Sequence, residues 1–147
     1  GTAMKRKYIG QKIRVATAEI RRDGEYLITQ RLESSTLPLL WEFPGGKVPA
    51  DANSEAVLRE LLRDKIGISA DVGELVMEVV HEYDHYTVDM QVYRCSFAED
   101  DPIQHLGVND ARWVAPSEFS QYEFPGADEQ TISQLLDLDL VDAMDVN

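Results

Sequence analysis

The sequence lacks several features that whole classes of protein depend on. It contains one cysteine, Cys95, so no disulfide can form within the chain, and this favours a reducing, cytoplasmic location. Cys95 falls in an apolar strand pattern, which predicts a buried, inert thiol rather than a nucleophile. No apolar run approaches the roughly 18 residues that a membrane span requires. We therefore expect no membrane partner.

Positive charge is also scarce. The 147 residues carry a formal net charge of −13, and the one basic run is at residues 5–7. A chain with this negative charge repels DNA and RNA unless it has a basic face. Duplex nucleic acid is therefore not an expected partner. A small nucleotide is compatible with this charge, because a divalent cation can neutralise its phosphates locally.

The remaining composition is that of one globular domain. Hydrophobic residues make up 44% of the sequence and charged residues 28%, and we find no internal repeat and no second domain. Residues 1–3, before Met4, are interpreted as an expression scar, and residues 140–147 as an acidic tail. The sequence predicts a single domain over residues 1–147, as a monomer or a homodimer.

The hydrophobic pattern predicts strands mixed with two helices. Alternating or apolar runs indicate strands at 13–17, 26–29, 75–83, 87–97 and 112–114. Apolar residues recur at helical spacing over 54–66, where Asn53 or Ser54 can cap the helix and Gly67 can end it. A last helix is predicted over 128–138. This order indicates an α+β fold, an α/β/α sandwich with a mixed β-sheet between helices.

A motif resembles that of a known family. The segment WEFPGGKV at residues 41–48 is followed by a helix that contains Arg59-Glu60-Leu61 and ends at Gly67-Ile68. This pattern resembles the Nudix signature, G-x5-E-x7-R-E-U-x-E-E-x-G-U with U aliphatic. Residues 112–114 and 124–129 resemble later landmarks of the branch that holds MutT and the CTP pyrophosphohydrolases. The resemblance covers most of the chain and implies a Nudix fold with a mixed sheet.

The signature fits this helix in two registers. An ungapped match over residues 46–67 leaves Asp64 acidic, and three other carboxylate positions hold Ala52, Leu61 and Lys65. The second register shortens the loop by one residue and adds one before Gly67. Asp51 then takes the loop glutamate position, and Arg63-Asp64 stands for the paired glutamates. We favour the second register because it keeps the apolar face continuous and puts the length changes at the helix ends.

In the favoured register the helix offers a metal site. Glu60 and Asp64 are four residues apart, so their carboxylates project from one helix face. Such a pair suits Mg²⁺ or Mn²⁺, which would neutralise a pyrophosphate and activate a water. The resemblance adds three roles: the Gly45 carbonyl as a metal ligand, an Arg59–Asp51 ion pair, and Lys47 near the phosphates. If Glu60 and Asp64 face Gly45 across one groove, this register holds. If Leu61 faces that groove instead, the ungapped register holds and the enzyme hypothesis falls.

The ligand set is incomplete in either register. The family places a further carboxylate six residues before the late tryptophan, and that position is Gly107 here. Asp101 and Asp110 are acidic candidates to replace it, and spacing favours neither. This departure, with Arg63 at a glutamate position, leaves open whether the chain still supports turnover.

The positions that line the nucleobase pocket in the MutT-like branch agree better with the family pattern than the metal-ligand positions do. The resemblance places Arg31, Phe43 and Asp128 there, where Arg31 can stack or hydrogen-bond and Asp128 can accept from a base N–H. Asp128 is equally well placed to cap the last helix, and Phe43 to lie in the core. His81 and His85 flank Tyr83 and are interpreted as ordinary strand residues, although a side chain near the pocket can contact substrate.

Three hypotheses follow for the function. The first is a metal-dependent pyrophosphohydrolase that converts a nucleoside triphosphate to the monophosphate and pyrophosphate in a house-cleaning role, with Mg²⁺ or Mn²⁺ as cofactor. The second is a catalytically impaired module that binds or senses a nucleotide. The third is a partner domain with a vestigial groove and no nucleotide affinity.

Overall fold

Two four-stranded sheets form the β-structure of residues 10–136, the part of the chain that this computed structural model describes. The strands are β1 Lys12–Glu19, β2 Arg21–Arg22, β3 Glu25–Gln30, β4 Trp41–Glu42, β5 Gly45–Lys47, β6 Asp71–Glu82, β7 Thr87–Ser96 and β8 Asp110–Val114. The helix α1 is Ser54–Ile66, and residues 129–136 are helical at the end of the described range. Turns of 3₁₀ helix lie at Pro116–Gln121 and Gly126–Asp128.

The first sheet is mixed, as predicted. Its order is β5-β1-β7-β6, in which β1 pairs in parallel with β7 and the other pairs are antiparallel. The second sheet is built on β3, which pairs antiparallel with β2, β4 and β8. The α+β fold expected from the pattern of elements is confirmed, with the strands divided between two sheets.

Helix α1 begins and ends where its capping residues predict. The Asn53 side chain accepts a hydrogen bond from the Ala56 backbone N–H at 2.9 Å, which satisfies one of the free donors of the first turn. Gly67 adopts a left-handed conformation (φ 72°), and its N–H donates to the Arg63 carbonyl. These local contacts fix the helix at the length that the sequence indicated.

The core lies on both faces of β3. Leu27 packs in one cluster with Leu58, Leu62 and Ile66 of α1, whereas its neighbour Ile28 packs in another cluster with Leu135 of the last helix. Because successive strand residues point to opposite faces, the two helices cover opposite sides of this strand. This agrees with the predicted layering. The predicted last helix over 128–138 is described to residue 136, and 137–138 lie outside the described residues. Across residues 10–136, no helix is long and apolar enough to cross a membrane.

Candidate active site

A glycine-rich turn forms one side of the site. Strand β5 pairs with β1, with Gly45 opposite Thr17 and Gly46 opposite Ala16. A Cβ at Gly45, where φ is 153°, would collide with the Ala16 carbonyl oxygen, so a larger residue cannot be accommodated. The close packing holds the Gly45 carbonyl against helix α1, which follows in the chain.

Beside this turn lies a cavity of about 300 Å³. Apolar side chains from β1 and β7, among them Ile13, Val88 and Met90, line part of it. The rings of Tyr83 and Tyr86 stack at 4.8 Å between centroids in the same wall. A mostly apolar cavity with a few polar groups is the usual form of a small-molecule site.

Asp128 is the most buried charged group in the lining, with 5% of its surface exposed. Burial raises the pKa of Asp128 well above its ordinary value, and the nearby Glu42 raises it further, while the Phe43 backbone N–H and Arg31 oppose the shift. The carboxyl is therefore favoured in its neutral form, which offers both a donor and an acceptor.

Two buried polar atoms in the lining have no hydrogen-bond partner among residues 10–136. They are Asp128 Oδ1 and Thr17 Oγ1. Burying a polar group without a partner costs roughly 1–3 kcal/mol, so such atoms are uncommon unless a ligand or water completes them. Their position in one cavity indicates a polar ligand there.

Arg31 and Glu42 form an ion pair at the cavity wall, with Arg31 Nη1 2.9 Å from Glu42 Oε1. Thr36 holds the same guanidinium, since Arg31 Nε donates to its carbonyl at 2.7 Å and Nη2 to its hydroxyl at 3.1 Å. The Arg31 side chain is thus positioned by contacts within the protein. Phe43, 1% exposed, stacks on Phe124 at 5.7 Å.

Lys65 occupies the groove between α1 and the glycine turn. Its Nζ donates a hydrogen bond to the Gly45 carbonyl oxygen at 2.6 Å. Burial lowers the pKa of Lys65, whereas the Glu42 carboxylate raises it. A Cβ placed on Gly46 would lie 3.0 Å from Lys65 Nζ and 3.4 Å from the Leu61 methyl groups. Leu61 and Lys65 are therefore the helix residues that face this turn.

This geometry corrects the favoured register of the motif. Glu60 and Asp64 are both exposed and line no part of the cavity, although they lie on one helix face as predicted. Because each residue of a helix is rotated by about 100° from the one before, Leu61 and Lys65 point to the groove while their acidic neighbours point away from it. The expectation that Glu60 and Asp64 face Gly45 is wrong, and the ungapped register fits.

The expected Arg59–Asp51 ion pair is also wrong. Both side chains are exposed, and among the described residues no ion pair joins them. Asp51 lies in a left-handed turn (φ 65°) before the helix. Lys47 lines the cavity and is exposed at the turn, and its role near the phosphates stays a prediction.

The residues at the turn do not fit the divalent cation that the family resemblance implies. The Gly45 carbonyl accepts from an ammonium group, and the neighbouring helix position is the apolar Leu61. Within the described ranges, no three His, Cys, Asp or Glu side chains are grouped to hold a metal ion. Gly107, at the position of the expected further carboxylate, packs on Lys65 instead.

The lining residues outside the predicted site residues include Thr17, Glu42, Tyr83 and Lys65. Glu42 lies between Trp41 and Phe43 on one short segment, so the fold decided whether its side chain faces the cavity. Lys65 was visible in the sequence as the lysine at a carboxylate position of the ungapped match.

Comparison with known proteins agrees with this architecture. A model of the NUDIX domain matches residues 16–134. The chain is 35% identical over 117 residues to the CTP pyrophosphohydrolase of Escherichia coli, covering 79% of this chain and 85% of the relative. It is 33% identical over 125 residues to the 8-oxo-dGTP diphosphatase of Haemophilus influenzae, covering 84% and 91%.

A solved structure is also similar. The solution structure of the Escherichia coli ORF135 protein superposes with a TM-score of 0.72 at 31% identity, covering 88% of this chain and 91% of that chain. The crystal structure of the MutT protein of Methanosarcina mazei superposes with a TM-score of 0.75 at 21% identity, covering 88% and 96%, which supports the fold.

Proposed function

The chain belongs to the NUDIX hydrolase family, and from that premise we propose that it binds a nucleoside triphosphate in the cavity beside Gly45–Lys47 and hydrolyses it slowly. Its relatives are named as pyrophosphohydrolases and diphosphatases. The products would be the monophosphate and pyrophosphate, in keeping with a house-cleaning role. The relatives' names nominate CTP and 8-oxo-dGTP as the first nucleotides to test.

One observation carries the binding proposal: two unpartnered buried polar atoms, Asp128 Oδ1 and Thr17 Oγ1, line the same cavity as a stacked tyrosine pair. A neutral Asp128 carboxyl donates one hydrogen bond and accepts another, which matches the adjacent donor and acceptor on a base edge. The aromatic and apolar wall gives the flat base a surface to pack against.

We assign the phosphates to the part of the cavity beside the glycine turn. Lys47 and Lys65 both line the cavity beside the glycine turn, and Arg31, which follows β3, lines it as well. In this arrangement Arg31, held by Glu42 and Thr36, orients the nucleotide, while the two lysines attract its phosphate oxygens. No step through a metal ion follows from these residues.

A second candidate function is a nucleotide-binding or sensing module without turnover. Lys65 on the Gly45 carbonyl favours it, because an ammonium occupies the groove where the family resemblance places a metal ligand. Both candidates require nucleotide binding, and they differ in whether pyrophosphate is released.

The test measures binding and turnover on the same preparation. Calorimetry with 8-oxo-dGTP, CTP and the other three common triphosphates should give a preferred nucleotide, and Asp128→Leu should weaken its binding by about tenfold, because it removes the donor and the acceptor together. Pyrophosphate release should then be detectable with that nucleotide and slow. Binding without release would favour the sensor, and absence of binding by every nucleotide would overturn the proposal.

Turnover needs its own control. Glu60→Gln, on the exposed face of α1, should leave any pyrophosphate release unchanged. If Glu60→Gln abolished release, the exposed carboxylates would act in the reaction despite their position, and the ungapped register would be wrong.

A further inference from the structure

We propose that the side chain of Lys65 replaces the divalent cation of this site, so that the cavity binds nucleotide polyphosphates in their metal-free form. This inference rests on the proposed function, since it concerns the phosphate end of the same nucleotide. It names the form of the ligand and the residue that recognises it.

The first support is the contact made by Lys65. Its ammonium is 2.6 Å from the Gly45 carbonyl oxygen, the group that the family resemblance assigns to a metal. The backbone of this turn is fixed against β1, since Gly45 pairs with Thr17 and Val48 N–H donates to the Arg14 carbonyl at 2.9 Å. The Lys65 ammonium group, carried by α1, is therefore held at a defined position in the groove.

The second support is the packing around the lysine stem. The N–H groups of Leu106 and Gly107 donate to the Lys65 carbonyl at 3.1 and 2.9 Å. A Cβ on Gly107 would lie 3.3 Å from Lys65 Cα and Cγ, tighter than ordinary contact. Gly107 therefore leaves space for Lys65 where a longer acidic side chain would crowd it. The two departures from the family pattern, at 65 and at 107, are in direct contact.

The third support is the charge of the cavity lining. The whole chain carries −13, yet the charged residues that line the cavity include three cations, Arg31, Lys47 and Lys65. Against them stand Glu42 and the buried Asp128, whose raised pKa favours its neutral form. The lining is thus locally cationic. A site built around a divalent cation needs anionic ligands, whereas a site that binds bare phosphates needs cations.

A tethered lysine and a bound cation have different consequences for the ligand. A divalent cation carries two positive charges and is coordinated by both the protein and the phosphates. Nucleotide binding to such a site therefore depends on the metal concentration. A lysine is always present, so binding persists without metal. Excess Mg²⁺ then competes, because it neutralises the same phosphate oxygens.

The experiment is calorimetric titration with the preferred nucleotide in EDTA and again in excess Mg²⁺. We expect the wild-type protein to bind at least as tightly in EDTA as in Mg²⁺. Lys65→Gln keeps a long polar side chain and removes the charge, so it should weaken binding in EDTA by about tenfold. Arg63→Gln is the matched control, because it removes one cation from the exposed face of the same helix and should bind like wild type.

Two further measurements separate the possible failures. The parent nucleoside, without phosphates, should bind wild type and Lys65→Gln equally, which shows that the base end is intact. Electron paramagnetic resonance should detect no stoichiometric Mn²⁺ binding to the wild-type protein, whereas Leu61→Glu with Lys65→Glu, which restores two carboxylates at the turn, should gain it.

Each outcome decides the inference. Nucleotide binding that requires Mg²⁺, stoichiometric Mn²⁺ binding by the wild-type protein, or equal affinity of wild type and Lys65→Gln in EDTA would overturn it and leave the proposed function standing. If no nucleotide binds in either buffer, both this inference and the proposed function fail.

Discussion

At the scale of single residues, Asp128 combines a structural cost with the recognition role proposed for it above. It is 5% exposed, and one of its oxygens has no partner among residues 10–136. Such a carboxyl destabilises the folded state when it ionises, and it becomes useful when a ligand completes its hydrogen bonds. The sequence left Asp128 equally placed as a helix cap, and the structure puts it in the cavity lining.

The pH dependence of stability should reveal this group. Because the pKa of Asp128 is raised on folding, the folded state holds the proton that the unfolded state loses above its ordinary pKa of 3.8. The free energy of unfolding should therefore fall as pH rises from this value toward the folded pKa, by up to about 1.4 kcal/mol per pH unit. Asp128→Asn cannot ionise, so its melting temperature should overtake that of wild type across this window.

The comparison uses thermal melts from pH 4 to pH 8. Glu129→Gln, at the exposed neighbouring position, is the control and should follow the wild-type profile. Glu19, whose pKa burial also raises, is present in all three proteins and cancels in the differences. Parallel profiles for wild type and Asp128→Asn would show that Asp128 has the same pKa in both states.

At the scale of elements, local signals determine where helix α1 begins and ends, and tertiary contacts determine which of its residues face the glycine turn. Its cap at Asn53 and its stop at Gly67 are local, and the buried residues Leu58, Leu62 and Ile66 are readable from periodicity. Leu61 and Lys65 flank that buried stripe. Which flank meets Gly45 depends on the path of β5 along β1, which no periodicity within the helix reports.

The helix cap gives a stability prediction. Asn53→Ala removes the acceptor for the Ala56 N–H and should lower the free energy of unfolding by about 1 kcal/mol. For a domain of this size that corresponds to a fall of about 3 °C in the melting temperature. Asn53→Ser retains a capping oxygen and should lose much less.

Urea denaturation of the two Asn53 variants checks the cap. The midpoint should shift without a change in the slope, because the same surface is exposed on unfolding. Equal midpoints for Asn53→Ala and wild type would mean that solvent or another group satisfies the Ala56 N–H equally well.

At the scale of the whole molecule, the net charge of −13 acts on stability. Excess charge of one sign destabilises a compact state through self-repulsion, and salt screens it over about 10 Å at 0.1 M. The locally cationic cavity is an exception within this acidic surface, so salt should weaken the proposed nucleotide binding while it strengthens the fold.

Thermal melts in rising NaCl test the global effect. The melting temperature should increase by a few degrees between low ionic strength and about 0.2 M, where the Debye length has fallen below 10 Å. Sodium sulfate is unsuitable because it stabilises proteins by exclusion and can occupy a phosphate site. A melting temperature that falls or stays constant in NaCl would show that favourable ion pairs outweigh the repulsion.

The sequence by itself determined the fold class, the helix and most strands, together with the family, and it singled out Arg31, Phe43 and Asp128, which line the cavity. These follow from periodicity, capping and a motif, all of which act over short stretches of chain. The sequence showed that Lys65 occupies a carboxylate position of the ungapped match. It did not show that Lys65 donates a hydrogen bond to the Gly45 carbonyl.

Only the tertiary structure decided which helix residues face the glycine turn. Lys65 and Gly45 are 20 residues apart, and their contact depends on β5 pairing with β1 and on the packing of α1 against the same strand. A helix turns by about 100° per residue, so a shift of one position in the motif exchanges an exposed carboxylate for a lysine in the groove. The sequence cannot fix that angle, because it is set by the residues on which the helix packs.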